Sequence, residues 1–403
     1  MILLPTFYSE KFGLEIAFIG IVIFLARLID IITDPIMGWI SDKNIISRKF
    51  WVIFGGLLAI FALNKLFVID SIPYKNYLLI WISILYIGWT MFQIPYLSLG
   101  YDLESDYFLR TKLSANREFF ILLGLFLSLG MPMILKLNNA ELLVYLVYVA
   151  FFTGFIGVAL LIIFIPEKNS KTQKIIFLDI LKNMRNNPSL LKVMTIWLIN
   201  SIANVLPMIL FAFFITYVLG GDDFSRQKVL FFYFLFALLG IPFWTLLSKR
   251  IHKIKTWSLS LFSSAFFFVF VLFLSEGDVL AFILISCLTG FCLAADLILP
   301  PSIQADLTDL HKEKFKEDIS GVLFSMITFI NKFSFAISSI FVFGILGLMN
   351  FEPNQNISNE SKQFITFSYA LIPIIMKVFA GCALTKFKLD ETKLRKIQKK
   401  IYG

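Results

Sequence analysis

Charge is scarce in this chain. Only 16% of its 403 residues are Asp, Glu, Lys or Arg, while 58% are hydrophobic. A water-soluble domain carries roughly 25% charged residues because its surface must face solvent, so a soluble globular fold is excluded. Histidine is scarcer still: His252 and His311 are the only two, both in highly charged stretches that read as cytoplasmic loops. Membrane-embedded group transfer needs a histidine, a carboxylate pair at the membrane edge or a metal cluster. Asp306, Asp309 and Glu313 come nearest to such a motif, but Lys312, Lys314 and Lys316 interleave with them as in a charged loop. An enzyme is therefore not expected. The three cysteines, Cys287, Cys292 and Cys382, sit in apolar runs at no metal-binding or disulfide spacing. No metal and no cofactor are expected, and no cleavable signal peptide is visible at the start.

What is abundant is apolar sequence in long runs, with a mean hydropathy of +0.83. About 20 apolar residues cross the hydrocarbon core as a helix. Only helices and closed barrels satisfy their own backbone groups in lipid, and these runs lack the alternation of barrel strands. Eleven spans are read: 14–40, 51–69, 76–98, 118–136, 141–165, 189–219, 227–247, 257–275, 279–302, 320–348 and 363–386. The net charge of +9 follows them. Of the 36 basic residues, 26 fall in alternate loops and the C-terminal tail, including Arg48, Arg110, Lys253 and the run Lys386 to Lys400. Basic loops stay in the cytoplasm, so the charge signals topology rather than nucleic acid, and the C-terminus is expected inside. The fold class is all-α, a multi-pass inner-membrane protein.

The loop 166–188 reads as a cytoplasmic linker between an N-terminal bundle, 1–165, and a C-terminal six-helix bundle with a basic tail, 189–403. Weak internal similarity relates the two. Pro35-Ile-Met-Gly-Trp-Ile-Ser41 parallels Pro242-Phe-Trp-Thr-Leu-Leu-Ser248, each followed within two residues by a lysine. Ser98 and Asp102-Leu103 parallel Ser302 and Asp306-Leu307 at identical spacing. Such parallel repeats are a transporter signature. The second part has six spans and the first has five, so Met1 to Tyr8 reads as the tail of a first helix that is largely missing.

Charges at bilayer depth are functional candidates by default. Arg27, Asp30 and Asp34 lie within the first span, and the two aspartates, four apart, share a helix face. Two like charges that close call for a cation, a sodium ion or a proton; the bland alternative is an arginine neutralising one aspartate for packing. Lys332 lies too deep to snorkel easily, and Asp296 reads equally as a structural, gating or solute-binding partner. Lys377, nearer its helix end, is expected to snorkel. Thr90 and Gln93 precede Pro95, which loosens the local backbone ladder, and Asn200 and Asn204 share a face. Both sets suit a polar solute or helix–helix bonding.

Five motifs, in order along nearly the whole chain, resemble the glycoside–pentoside–hexuronide:cation symporters of the major facilitator superfamily. They are Arg27-Leu-Ile-Asp30-Ile-Ile-Thr-Asp34-Pro35-Ile-Met-Gly38-Trp, Thr90-Met-Phe-Gln93-Ile-Pro95-Tyr96-Leu-Ser98, Arg110-Thr-Lys-Leu-Ser-Ala-Asn-Arg117-Glu-Phe-Phe, Pro300-Pro301-Ser302-Ile-Gln-Ala-Asp306-Leu-Thr-Asp309 and Thr328-Phe-Ile-Asn-Lys332. The resemblance implies a major facilitator fold of two pseudo-symmetric helical bundles and a cation-coupled symporter working by alternating access. It places Asp30, Asp34 and Thr90 at the cation site, with Lys332 nearby and Arg117 in the central cavity. Apart from the resemblance, the residues themselves suggest Asp42, Asp306 and Asp309 as the cytoplasmic gate, Arg27 and Asp296 as coupling or cavity charges, and Gln93, Asn200 and Asn204 as solute ligands. Gln93 stands where the melibiose permease has a sugar-binding aspartate, and Leu97 where it has a tryptophan. The nominal solute is a sugar or glycoside; alternatives are a lysolipid or other amphiphile, or a truncated, non-transporting remnant. The expected partners are membrane lipid and the small solute, and the expected state is a monomer.

Overall fold

The computed structural model describes residues 4–69, 76–135, 139–166, 176–349, 351, 358–387 and 391–402. Helices make up the architecture, with no strand among the described residues. In chain order they are α1 (Leu4–Phe12), α2 (Ile16–Asp42), α3 (Arg48–Phe67), α4 (Tyr77–Leu103), α5 (Tyr107–Leu135), α6 (Asn139–Phe164), α7 (Phe177–Arg185), α8 (Pro188–Phe213), α9 (Asp223–Ile251), α10 (Lys253–Val269), α11 (Val279–Phe315), α12 (Ser320–Leu348), α13 (Asn359–Thr366), α14 (Ile372–Thr385) and α15 (Glu391–Tyr402). Among the described residues nine helices are long and apolar enough to cross a membrane. The sequence reading counted eleven spans. The nine are counted among the described residues only, and α2 and α5 cover the other two spans.

The helix ends follow local chemistry. Ser47 Oγ accepts from the Phe50 amide at the start of α3, and Asn187 Oδ1 from Leu190 at the start of α8, where Pro188 takes the first turn. The last span is one continuous helix, Asn359–Thr385, through a π-helical turn at Phe367–Leu371. A second π turn, Phe214–Val218, closes α8. The two turns pack together, with the Phe214 and Tyr369 rings stacked at 4.3 Å.

Helix α11 corrects the sequence reading. α11 does not stop near 302: it runs through Pro300 and Pro301 to Phe315, 37 residues, or about 55 Å at 1.5 Å per residue. Asp306 and Asp309 are therefore helical and buried, not members of a loop. His311 is likewise buried in α11, its ring against Phe315. His252 is the single residue between α9 and α10, with φ of 70°.

The chain forms two compact units, one of residues 1–104, 127–181 and 317–329, the other of 105–126, 182–316 and 330–403. In the first, Leu4, Phe7, Tyr8, Ile19, Val22, Ala59, Leu66, Ile82 and Tyr86 share one apolar core, and Tyr8 donates its hydroxyl to the Leu66 carbonyl at 2.7 Å. Lipid tails are as apolar as leucine, so helices associate in a membrane through close packing rather than hydrophobic exclusion. The tightest example joins α3 to α4. A side-chain carbon on Gly55 would lie 2.5 Å from the Phe92 nitrogen, and one on Gly88 would lie 2.8 Å from that of Ala59. That contact fixes α4 two residues before Thr90. In the second unit, Leu206, Leu210, Phe214, Val229, Val271, Phe282, Val342 and Tyr369 form the apolar core.

Candidate functional site

Midway along α2 the i, i+4 spacing brings Asp30 and Asp34 to one face, turned toward α4. Thr90 on α4 meets both: its Oγ1 lies 2.9 Å from Asp34 Oδ1 and 3.3 Å from Asp30 Oδ1. The three side chains are buried, each no more than 2% exposed. Arg27, one turn earlier, approaches Asp30 Oδ2 only to 3.9 Å and lies over the Tyr86 ring at 5.1 Å. A threonine hydroxyl donates one proton and keeps two lone pairs, so its oxygen can also serve as a ligand. Oxygen ligands of this kind suit a hard cation. Gln93 stands one turn further along α4, partly exposed.

The C-terminal ends of α2 and α4 hold an ion cluster. Asp42 accepts from the backbone amides of Gly321 (2.6 Å) and Val322 (2.8 Å), the first turn of α12, where the helix dipole favours a carboxylate. Arg48, first residue of α3, donates to Asp42 Oδ1 (2.9 Å), Ser320 Oγ (2.8 Å), Asp102 Oδ2 (2.5 Å) and the Ser98 carbonyl (3.3 Å). Gly38 and Gly321 let α2 and α12 approach, since an added carbon on either would strike the other's backbone oxygen.

The second unit carries the counterpart. Lys253, first residue of α10, donates to Asp306 Oδ2 at 2.5 Å. Arg110 of α5 reaches Asp309 Oδ2 at 2.6 Å and Asp306 Oδ1 at 3.4 Å, and Gln398 of α15 adds a bond to Asp309 at 3.0 Å. Arg48, Arg110 and Lys253 all read as solvated loop charges in the sequence; all three are buried.

The same unit gathers Asp296, Asn200 and Asn204 around a residue the sequence reading misjudged. Lys377 does not snorkel: it is 6% exposed and donates to Asn204 Oδ1, Asn200 Oδ1 and Asp296 Oδ2. Arg117 pairs with its neighbour Glu118 at 2.8 Å, and Lys332 lies half-buried on α12; both belong to the second unit, whereas Asp30, Asp34 and Thr90 belong to the first. Among the described residues no group of histidine, cysteine and carboxylate side chains is placed to hold a metal ion.

Residues 1–391 match the family described as MFS/sugar transport protein. The chain belongs to that family. Family relatives include the human sodium-dependent lysophosphatidylcholine symporter 1, 24% identical over 94% of this chain and 78% of that protein. The putative glycoside/cation symporter YagG of Escherichia coli is 21% identical over 100% of this chain and 90% of its own length. Among solved structures, a bacterial homologue of the iron transporter ferroportin in its outward-facing state superposes with a TM-score of 0.70, at 14% identity over 96% of this chain and 94% of that one. The E. coli fucose:proton symporter gives 0.64, at 14% identity over 94% and 93%. The fold is that of a major facilitator transporter, as the motifs implied, and the family is one of transporters rather than enzymes.

Proposed function

We propose that this chain is a cation-coupled symporter in which Asp30, Asp34 and Thr90 hold the coupling ion, a sodium ion or a proton. The observation that carries the reading is the convergence of two buried carboxylates and a hydroxyl on helices α2 and α4. A cation is attracted by the paired carboxylates, and binding energy spent there shifts the balance between transport conformations. Gln93, one turn from Thr90, is the solute ligand nearest the ion, so ion and solute share helix α4. Asp42 of the first unit, and Asp306 and Asp309 of the second, act as cytoplasmic gate residues in alternating access. The protein works as a monomer in the inner membrane, with its C-terminus inside.

The solute is a sugar or glycoside, in keeping with the family description and the glycoside/cation relative. The lysophosphatidylcholine symporters among the relatives favour a lysolipid as the second reading. Uptake of isotopic solutes from both classes into proteoliposomes, under a sodium or a proton gradient, separates the two. Asp34→Asn is expected to abolish cation-dependent uptake and cation binding while leaving the fold intact. Unchanged sodium and proton dependence in that variant sinks the assignment of the site.

A further inference from the structure

In the second unit an ammonium sits in a cage of oxygens. Lys377 Nζ of α14 lies 2.7 Å from Asn204 Oδ1 and 3.3 Å from Asn200 Oδ1, both on α8, and 3.3 Å from Asp296 Oδ2 on α11. Its three N–H bonds are matched by three acceptors. The cage is held from outside as well. Trp257 Nε1 of α10 donates to Asp296 Oδ1 at 2.7 Å, and Asn204 Nδ2 donates to Asp296 Oδ2 at 3.1 Å. The Trp257 ring packs on Trp197 at 6.0 Å. Three helices, α8, α10 and α11, thus fix the oxygens, and the lysine of α14 enters as their guest.

Asn200 shows what the cage is organised around. It is fully buried, its Oδ1 faces the ammonium, and its Nδ2 has no acceptor among the described residues. Leaving a buried donor unmatched is unfavourable, so this orientation persists because the oxygen is needed at the centre. One carboxylate and two amide oxygens form a donor set for a hard cation. We propose that this is a second cation site whose occupant is tethered. Lys377 supplies permanently the positive charge that an exchangeable ion supplies at Asp30, Asp34 and Thr90. The second unit therefore binds no ion, and each chain takes one coupling ion per cycle. The count of one rests on the reading of the first site; the tethered occupancy does not.

Lys377→Ala removes the ammonium and leaves room for a free ion. Equilibrium binding of radioactive sodium to purified protein in lipid nanodiscs is expected to give one ion per chain for the parent, none for Asp34→Asn, two for Lys377→Ala and one for Asp34→Asn/Lys377→Ala. Methylammonium, which mimics the lysine head, should displace sodium from the new site alone. Lys377→Met fills the volume without charge and should gain no ion. If Lys377→Ala is too unstable for binding work, its melting temperature is read in sodium, methylammonium and choline. The first two should raise it, choline should not, and Asp296→Asn added to the variant should erase the rise. The proposal is overturned if Lys377→Ala binds no more sodium than the parent, or if its melting is indifferent to methylammonium; the lysine is then a clamp between helices. If the parent binds no sodium but Asp34→Asn/Lys377→Ala binds one ion, the tethered site stands and the first site does not take sodium.

Discussion

Asp306→Asn tests whether the cluster at the end of α11 is a desolvated ion network. Lys253 and Asp306 are 1% and 0% exposed, Arg110 and Asp309 2% and 0%, and together the four groups sum to zero formal charge. Asp306→Asn leaves a net +1 there, and Lys253→Met leaves a net −1. Removing one partner of a buried pair costs about 3–5 kcal/mol, because the other charge stays buried and uncompensated. Removing both restores neutrality, and replacing a buried pair with neutral residues is often close to isoenergetic. Each single variant should therefore be destabilised by about 3–5 kcal/mol, and the double variant by less than either. The cycle would yield a coupling on the order of 4 kcal/mol or more. The chain carries its own reporter: Cys287 and Cys292 are buried within α11, so a thiol-reactive fluorophore follows melting once the exposed Cys382 has been blocked. A double variant whose loss equals the sum of the two singles refutes the network, and single variants that melt like the parent refute the desolvation.

Two further changes probe how the first unit holds its site. Gly88→Val should force α3 and α4 apart, at about 1–3 kcal/mol for an overpacked contact, and weaken sodium binding because Thr90 moves with α4; unaltered binding together with unaltered melting argues against the packing account. Arg48→Lys keeps the charge but not the fork that reaches Asp42, Asp102, Ser320 and the Ser98 carbonyl. With two charged bonds lost, melting by the same thiol assay should report a loss of about 3 kcal/mol, and a conservative outcome under about 0.5 kcal/mol would mean that the ammonium spans the same acceptors.

The first site was legible because its information is local. Asp30 and Asp34 share a face by spacing alone, and a charge midway along an apolar run announces itself. Thr90 came from motif resemblance, and the structure brings it to both carboxylates. The Lys377 cage was not legible in this way. Its partners lie 173, 177 and 81 residues away in sequence, so nothing near Lys377 marks it off from a lysine that snorkels. The end of α11 misled for a different reason. Two prolines followed by alternating acids and lysines have the composition of a solvated loop, yet Asp306 and Asp309 gain their partners from α10, α5 and α15. Paired charges and solvated charges look identical in composition; only the tertiary partner distinguishes them.

That distinction also explains the internal repeat. Asp102 and Asp306 occupy equivalent places in the two parts of the sequence, and each meets the first residue of another helix, Arg48 of α3 and Lys253 of α10. What the repeat preserves is therefore a charge pair, and what differs is the cation. An arginine fork serves several acceptors at once, whereas an ammonium is a compact point charge. Arg48 accordingly serves Asp42 and Asp102 together. Lys253 bonds Asp306 and lies over the Tyr107 ring at 3.8 Å, and Asp309 needs a second cation, which Arg110 provides with an additional bond to the Ala305 carbonyl. Substituting lysine for arginine in one repeat thus requires an arginine recruited from α5, which ties that helix to the network. The two clusters answer the same electrostatic demand with different helices, so a perturbation of one is not expected to reproduce a perturbation of the other.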